Sequence, residues 1–347
     1  MLKILYAVQG TGNGHVTRAI ELIPCFKKHG EVDVLVSGIQ SDIELPFKVT
    51  YRFKGLSFIF GKKGGVDIWK TYQKMNTVNL FKEIKQLPVK KYDLIISDFE
   101  PVSSWACAKA KLNCIGLSNQ AATLHPLAPR PKKTDLIGKL VLLKYAPCNY
   151  QYGFHFKSLD QNVFTPIIRK KLREAKTTNE GHYTVYLPAY DNERIIKHLS
   201  VFKDVKWQVF SKHTSKKIKK KNITIYPIEN KLFLKSLLSC EGVLCNAGFG
   251  TTSEALFLNK KLLVIPMKKQ YEQYCNAAML KSMGVSVMKK LNAEYSSILK
   301  EWLHTDNRVE VDYKDNAQEI ADLIVKKHAA SKYVNTTHES QHYSIFQ

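Results

Sequence analysis

The chain is poor in the features that most quickly define a protein class. Its seven cysteines (Cys25, Cys107, Cys114, Cys148, Cys240, Cys245 and Cys275) are scattered and odd in number, and none forms a C-x-x-C pair. That pattern gives no support to zinc ligation or to a disulfide framework, and it fits a reducing compartment. No run of about 18 apolar residues occurs, so nothing reads as a transmembrane helix. The opening MLKILYAVQGTGNGH has an apolar run that stops at Val8, and it lacks the h-region and cleavage site of a secretory signal. A cytoplasmic protein is expected, free or peripheral on the inner face of the plasma membrane. Acidic residues are scarce as well: 30 Asp and Glu stand against 53 Lys and Arg, a formal net charge of +23. Such a surplus favours an anionic contact, whether nucleic acid, phospholipid headgroups or a phosphorylated substrate, without choosing among them. No D-x-D pair stands in a metal-binding context, and no RNP-type aromatic motif accompanies the basic residues. No metal, no cofactor and no nucleic-acid partner is therefore expected, and the basic cluster Lys216–Lys221 reads as a solvated loop.

What is present is a globular composition, 44% hydrophobic and 24% charged, over 347 residues. That length suits two domains of roughly 150 to 170 residues each. Leu2–Val8 is a short apolar run, Thr17–Lys28 has helical spacing, and Val32–Ser37 is again strand-like. Leu94–Ser97 reads as a buried strand, Val102–Lys111 as a helix rich in small residues, and Asn113–Leu117 as a strand. The second half repeats this grammar with strands at Tyr183–Leu187, Trp207–Phe210, Ile223–Tyr226, Gly242–Cys245 and Leu262–Ile265. Helices at Arg194–Leu199, Lys231–Leu238, Thr252–Leu258 and Gln273–Ser282 separate most of them. Alternation of this kind implies parallel pairing, hence two doubly wound α/β domains at residues 1–160 and 161–330. The join is expected between Phe156 and Glu180, where Pro166 interrupts the pattern and Thr177–Gly181 reads as a linker. A last helix, Asn316–Lys327, closes the second domain, and residues 331–347 form a polar tail.

Three stretches carry chemistry. The first, Gly10-Thr11-Gly12-Asn13-Gly14-His15, follows a strand and opens a helix. Gly12 and Gly14 allow close backbone approach to a ligand, and the helix end offers free N–H groups to an anion. No Gly-Lys-Ser/Thr closes it as a Walker A loop, and bulky His15 departs from the dinucleotide fingerprint. A dehydrogenase reading thus rests on the glycines alone. A histidine facing an interdomain cleft can act as a general base near neutral pH; it can equally cap its own helix. The second stretch is Ser97-Asp98-Phe99-Glu100-Pro101. Asp98, at the carboxyl end of a parallel strand, lies on the ligand-binding rim and can fix the tautomer of His15. The competing role is an N-cap for the helix at Val102, which Pro101 favours.

The third stretch is Gly242-Val-Leu-Cys-Asn-Ala-Gly-Phe-Gly-Thr-Thr-Ser-Glu254, followed by Pro266 and by Gln270-Tyr-Glu-Gln273. Its glycines Gly248 and Gly250 turn a strand into a helix whose N–H groups, with the Thr251 and Thr252 hydroxyls, suit a diphosphate. Glu254, about one turn into the helix, has two oxygens that can accept both hydroxyls of a ribose. Glu272 and Gln273 stand where they can hydrogen-bond sugar hydroxyls. The competing reading makes the glycines a plain turn and Glu254 a solvated helix residue.

The run Cys245–Glu254 with Pro266 and Glu272-Gln273 resembles the donor-binding region of inverting GT-B glycosyltransferases. These include the plant and animal UDP-glycosyltransferases and the bacterial enzyme that adds N-acetylglucosamine to lipid-linked muramyl peptide, and the likeness is widest to the family 28, MurG-like proteins. It covers both halves in the right order. The resemblance implies a GT-B fold, two Rossmann-like domains facing across a cleft. It also implies His15 as general base, Asp98 as the acid that orients it, Glu254 on the ribose, and Glu272 and Gln273 on the donor sugar. Ile228 falls where the family's backbone reads the nucleobase, and Asn246 replaces the phosphate-binding histidine of many plant and animal members. The implied reaction is a metal-independent, inverting transfer from a UDP-sugar to an acceptor hydroxyl, on a lipid-linked or cell-envelope glycan. The alternative, a UDP-sugar 2-epimerase, shares the architecture but needs further carboxylates and histidines around the sugar, which the motifs here do not assign. A non-enzymatic nucleic-acid-binding protein rests on charge alone. Two apolar and basic segments, Leu136–Tyr145 and Leu56–Gly65, fit either a membrane interface or core packing.

Overall fold

A computed structural model describes residues 1–38, 45–56, 77–132 and 135–333. Most of the Leu56–Gly65 segment and the tail from residue 334 lie outside the described residues. The first half forms a sheet of strands β1 (Leu2–Gln9), β2 (Gly30–Ser37), β3 (Tyr51–Phe53), β4 (Leu94–Asp98), β5 (Ile115–Ser118), β6 (Tyr150–Phe154) and β7 (Val163–Phe164). Their order is β3-β2-β1-β4-β5-β6-β7, and every pairing is parallel. Helices α1 (Asn13–Lys27), α2 (Thr77–Gln86), α3 (Pro101–Ala110), α4 (Asn119–Thr123) and α5 (Leu136–Lys144) connect them.

The short helix α6 (Lys170–Arg173) leads to β8 (His182–Tyr186), α7 (Asn192–Leu199), β9 (Lys206–Ser211), β10 (Ile218–Lys220) and β11 (Ile223–Pro227). Then follow α8 (Asn230–Ser239), β12 (Gly242–Asn246), α9 (Phe249–Phe257), β13 (Lys261–Ile265), α10 (Tyr271–Ser282), β14 (Ser286–Val287), α11 (Ser296–His304) and α12 (Ala317–His328). The second sheet runs β10-β11-β9-β8-β12-β13-β14, parallel except at β10.

The apolar runs are continuous because both faces of each sheet are covered. Along β1, Ile4, Tyr6 and Val8 enter one core with α1, while Leu5 and Ala7 enter another with α2 and α3. In β12, Val243 and Cys245 face one side and Leu244 the other. β7 carries the first sheet to Phe164, within the Phe156–Glu180 stretch expected to hold the join. One assignment differs from the sequence reading: α12 packs on α1, with Ile320, Ala321 and Ile324 in the core of the first sheet. The last helix, grouped above with residues 161–330, thus returns to the first domain; amphipathic spacing says that a helix has an apolar face, not which sheet covers it.

The loop-bearing carboxyl ends of the two sheets meet. A Cβ on Gly250 would stand 3.9 Å from the Cα of Gly14, so the amino ends of α1 and α9 face each other. Nearby, α5 crosses α10 at Gly138, where a Cβ would fall 2.4 Å from that of Tyr271. Only a residue without a side chain permits that approach.

Candidate active site

The first wall is the turn from β1 into α1. Gly12 stands at the N-cap with φ 95°, a left-handed conformation that glycine adopts without strain, and no side chain caps the helix. The helix begins at Asn13, four residues before the Thr17 at which apolar spacing starts, and His15 lies in its first turn. Val8 pairs with Asp98 across β1 and β4, which sets the carboxylate beside that turn. The His15 Nδ1 lies 2.7 Å from Asp98 Oδ1. Capping of α3 falls instead to Glu100, whose carboxylate accepts from the Val102 and Ser103 N–H groups at 2.8 and 2.7 Å. Phe99, at φ 54°, turns the chain between the two acids and lays its ring within 10° of parallel to the imidazole. Of the two roles open to Asp98 in the sequence, the structure selects the pairing with His15.

Asp98 is fully buried, which would raise its pKa, but the Arg18 guanidinium and the His15 ring outweigh burial and hold it below the ordinary carboxylate range. Arg18 donates from Nε to Asp98 Oδ2 at 2.9 Å, from Nη2 to Asp98 Oδ1, and from Nη1 to Asn119 Oδ1 at 3.2 Å. With Asp98 accepting at Nδ1, the Nε2 lone pair of His15 points away from the carboxylate, towards the Gln120 amide 3.4 Å off.

The second wall is the turn from β12 into α9. Gly248 is the N-cap, no side chain caps the helix, and Gly248, Phe249, Gly250 and Thr251 are partly exposed. Those first-turn N–H groups are the ones an anion can use. Two expected contributors are placed otherwise. Thr252 is buried and its hydroxyl donates to the Gly248 carbonyl at 2.6 Å, the usual back-bond of a hydroxyl inside a helix. Asn246 is buried at the end of β12 and one N–H of its Nδ2 donates to Ile265 O at 2.7 Å, which leaves at most its second N–H for a phosphate.

Glu254 is nearly buried, and both of its oxygens accept from Arg169: Nε to Oε1 and Nη2 to Oε2, each at 2.6 Å. Arg169 also donates from Nη1 to Asn230 Oδ1 at 3.1 Å, just past Ile228 in the partly exposed loop after β11. Glu272, at the start of α10, accepts from Asn119 Nδ2 at 2.7 Å and from Gln120 Nε2 at 3.0 Å. Gln273 accepts from the Met267 N–H at 3.0 Å, with its Nε2 turned towards Gly248. A closed ring of polar contacts results: His15, Asp98, Arg18, Asn119, Glu272, Gln120 and back to His15, spanning the two domains. Beside it, Phe99, Gln120, Leu124, Leu142, Leu143 and Cys148 line a pocket that opens to solvent.

Four residues of this constellation escaped the sequence reading. Arg18 had a signal, since three residues past His15 is the same helix face. Asn119 and Gln120 directly follow β5, the rim position that flagged Asp98. Arg169, 85 residues from its partner Glu254, had none.

The profile of glycosyl transferase family 1 matches residues 2–305. The chain belongs to that family. It is a glycosyltransferase, and its two parallel-sheet domains are those of the GT-B fold. The structure resembles the glycosyltransferase of kitacinnamycin at TM-score 0.58 and 12% identity, over 94% of this chain and 99% of that one. It resembles UGT89C1 of Arabidopsis thaliana, solved with UDP, at TM-score 0.58 and 10% identity, over 94% of this chain and 95% of that one. It resembles MurG of Acinetobacter baumannii at TM-score 0.54 and 12% identity, over 94% of this chain and all, 100%, of that one. At these identities the likeness speaks to the fold. Among curated proteins none matches significantly in sequence.

Proposed function

We propose that this glycosyltransferase moves a sugar, with inversion and without a metal, from a nucleotide-sugar of the UDP type to a hydroxyl of an acceptor seated on the first domain. The observation that carries the reading is the apposition of His15, fixed by Asp98 with Nε2 outward, to the uncapped amino end of α9. His15 Nε2 takes the proton of the acceptor hydroxyl, the oxygen attacks the anomeric carbon, and the nucleoside diphosphate departs on the opposite side. Negative charge growing on the diphosphate is met by the N–H groups of Gly250 and Thr251 and by the α9 dipole. Gathering both substrates between two walls removes much of the entropic barrier to their encounter. Glu272 exchanges its Asn119 and Gln120 partners for hydroxyls of the donor sugar, with Gln273 beside it.

The apolar lining of the pocket next to Gln120 (Phe99, Leu124, Leu142 and Leu143) supports an acceptor with an apolar part. Helix α5 supports a lipid-linked one: Leu136, Ile137 and Leu140 are 75, 57 and 57% exposed, with Lys139 and Lys144 on the same helix. Among the described residues no helix is long and apolar enough to cross a membrane, so contact with an anionic lipid surface would be peripheral. The deciding experiment is His15→Ala. Turnover should vanish while calorimetric affinity for the nucleoside diphosphate stays within a few-fold; near-normal transfer would overturn the base assignment. Incubation with donor alone separates the alternative, since an epimerase converts its nucleotide-sugar without an acceptor.

A further inference from the structure

Gln120, the second residue of α4, is 7% exposed. Its Nε2 has two neighbours: Glu272 Oε2 at 3.0 Å, to which it donates, and His15 Nε2 at 3.4 Å. Turning the amide over would set its oxygen against a carboxylate and against a lone pair, so the nitrogen belongs on this side. That orientation leaves Oε1 buried and without a partner among the described residues, a costly state for an amide oxygen. It also fixes the imidazole. An N–H can face Nε2 only where Nε2 carries no proton, which agrees with the proton on Nδ1 that Asp98 accepts. Arg18 Nη2 also stands 3.0 Å from Nδ1, but were it the donor there, a proton on Nε2 would meet the Gln120 N–H. A ring nitrogen has a single lone pair, so one donor is enough to occupy it. The atom that takes the acceptor's proton is thus already engaged by the protein's own amide.

We propose that Gln120 is a positioning residue that guards the base: its N–H occupies the His15 Nε2 lone pair until an acceptor displaces it, so that a bound donor is not spent on water. The inference rests on the donor and base roles given above. When Glu272 turns to the donor sugar, one N–H of Gln120 is released and the other keeps its hold on Nε2. Hydrolysis requires a water to give its proton to Nε2 while its oxygen bonds to the anomeric carbon and the diphosphate leaves. With the lone pair taken, that step lacks its base. Gln120 also lines the pocket in which the acceptor settles. A hydroxyl arriving there competes for Nε2, and the amide swings aside, its stranded Oε1 gaining a partner as it turns.

The test is hydrolysis without acceptor, using UDP-glucose and UDP-N-acetylglucosamine and reading the release of UDP. Gln120→Met keeps the length of the side chain and removes the N–H. It should hydrolyse donor about fivefold faster than wild type, the factor that loss of one neutral hydrogen bond to the base allows. In His15→Ala/Gln120→Met the gain should vanish, because it runs through Nε2. A gain that survives without the imidazole would mean only that the pocket had loosened to water, and an unchanged rate in Gln120→Met would mean that the amide does not hold the base. Either result overturns the proposal. Calorimetry with UDP separates the two layers: if wild type binds UDP, those failures leave the donor reading standing, and if it binds none, the donor reading falls and this inference with it. Should Gln120→Met fail to fold, nitrogen NMR of wild type decides, with the His15 signals assigned by their loss in His15→Ala. A bare Nε2 is expected, and a proton found there would end the proposal.

Discussion

Replacing Asp98 with asparagine changes one oxygen to an amide nitrogen at a fully buried position. Asp98 Oδ1 accepts from both His15 Nδ1 and Arg18 Nη2, and Oδ2 accepts from Arg18 Nε. An asparagine can present its oxygen to only one of these sites. With the amide nitrogen at the Oδ1 position, an N–H faces Arg18 Nη2 and forces the His15 proton onto Nε2, which removes the base. With the amide turned over, the N–H faces Arg18 Nε. Either way the buried guanidinium loses its counter-charge, and a broken buried pair costs about 3 to 5 kcal/mol; the retained oxygen puts the expected loss near 3 kcal/mol. Turnover should fall by on the order of a thousandfold or more, as when the orienting acid of a histidine pair becomes an amide. Donor affinity should change little. Urea unfolding gives the first quantity, and steady-state kinetics with calorimetry give the second. Since Asp98 is held below the ordinary carboxylate range, its contribution is present above that range and fades as pH falls through the lowered value. Wild type should therefore lose stability in acid more steeply than Asp98→Asn. Turnover within tenfold of wild type, or losses in a His15→Ala/Asp98→Asn cycle that simply add, would refute the pairing.

The remaining expectations concern other parts of the molecule. His155 is buried with its Nε2 unpartnered, and burial, helped by His125, pushes its pKa down to about 4. An unfolded histidine titrates near 6.5, so the stabilisation is complete above that pH and is lost as pH falls towards 4, about 2 kcal/mol of it by pH 5. Urea melts at pH 7 and 5 check this, and His155→Gln should lessen the difference; His328, also pushed down to about 4 by burial, acts in the same direction. Glu100→Ala removes the cap of α3 and should cost about 1 to 2 kcal/mol, read from the same melts. Leu136→Glu with Leu140→Glu should abolish flotation with anionic vesicles at low salt and leave stability within about 0.5 kcal/mol, since both side chains are exposed. Unchanged flotation would remove the membrane contact.

Much of the architecture was legible because parallel strands buried on both faces read as unbroken apolar runs, as Ile4–Val8 and Leu94–Ile96 do. Rim positions followed from strand ends, and so His15 and Asp98 were singled out. The choice between Asp98 and Glu100 as the cap of α3 was not legible. It depends on a left-handed residue at Phe99, a conformation that nothing in the residue type announces. Thr252 looked like a phosphate ligand by spacing, yet its hydroxyl bonds the preceding turn. Long-range pairings left no local trace: Arg169 with Glu254, Asn119 and Gln120 with Glu272, and α12 with α1. Each joins segments whose separate patterns were complete without the other.

The most direct test is a crystal structure of the protein with UDP bound. Diphosphate oxygens should sit on the backbone N–H groups of Gly250 and Thr251, on the side of α9 that faces His15 Nε2. A diphosphate held anywhere else, or an α9 amino end turned away from the imidazole in the bound state, would contradict the proposed chemistry.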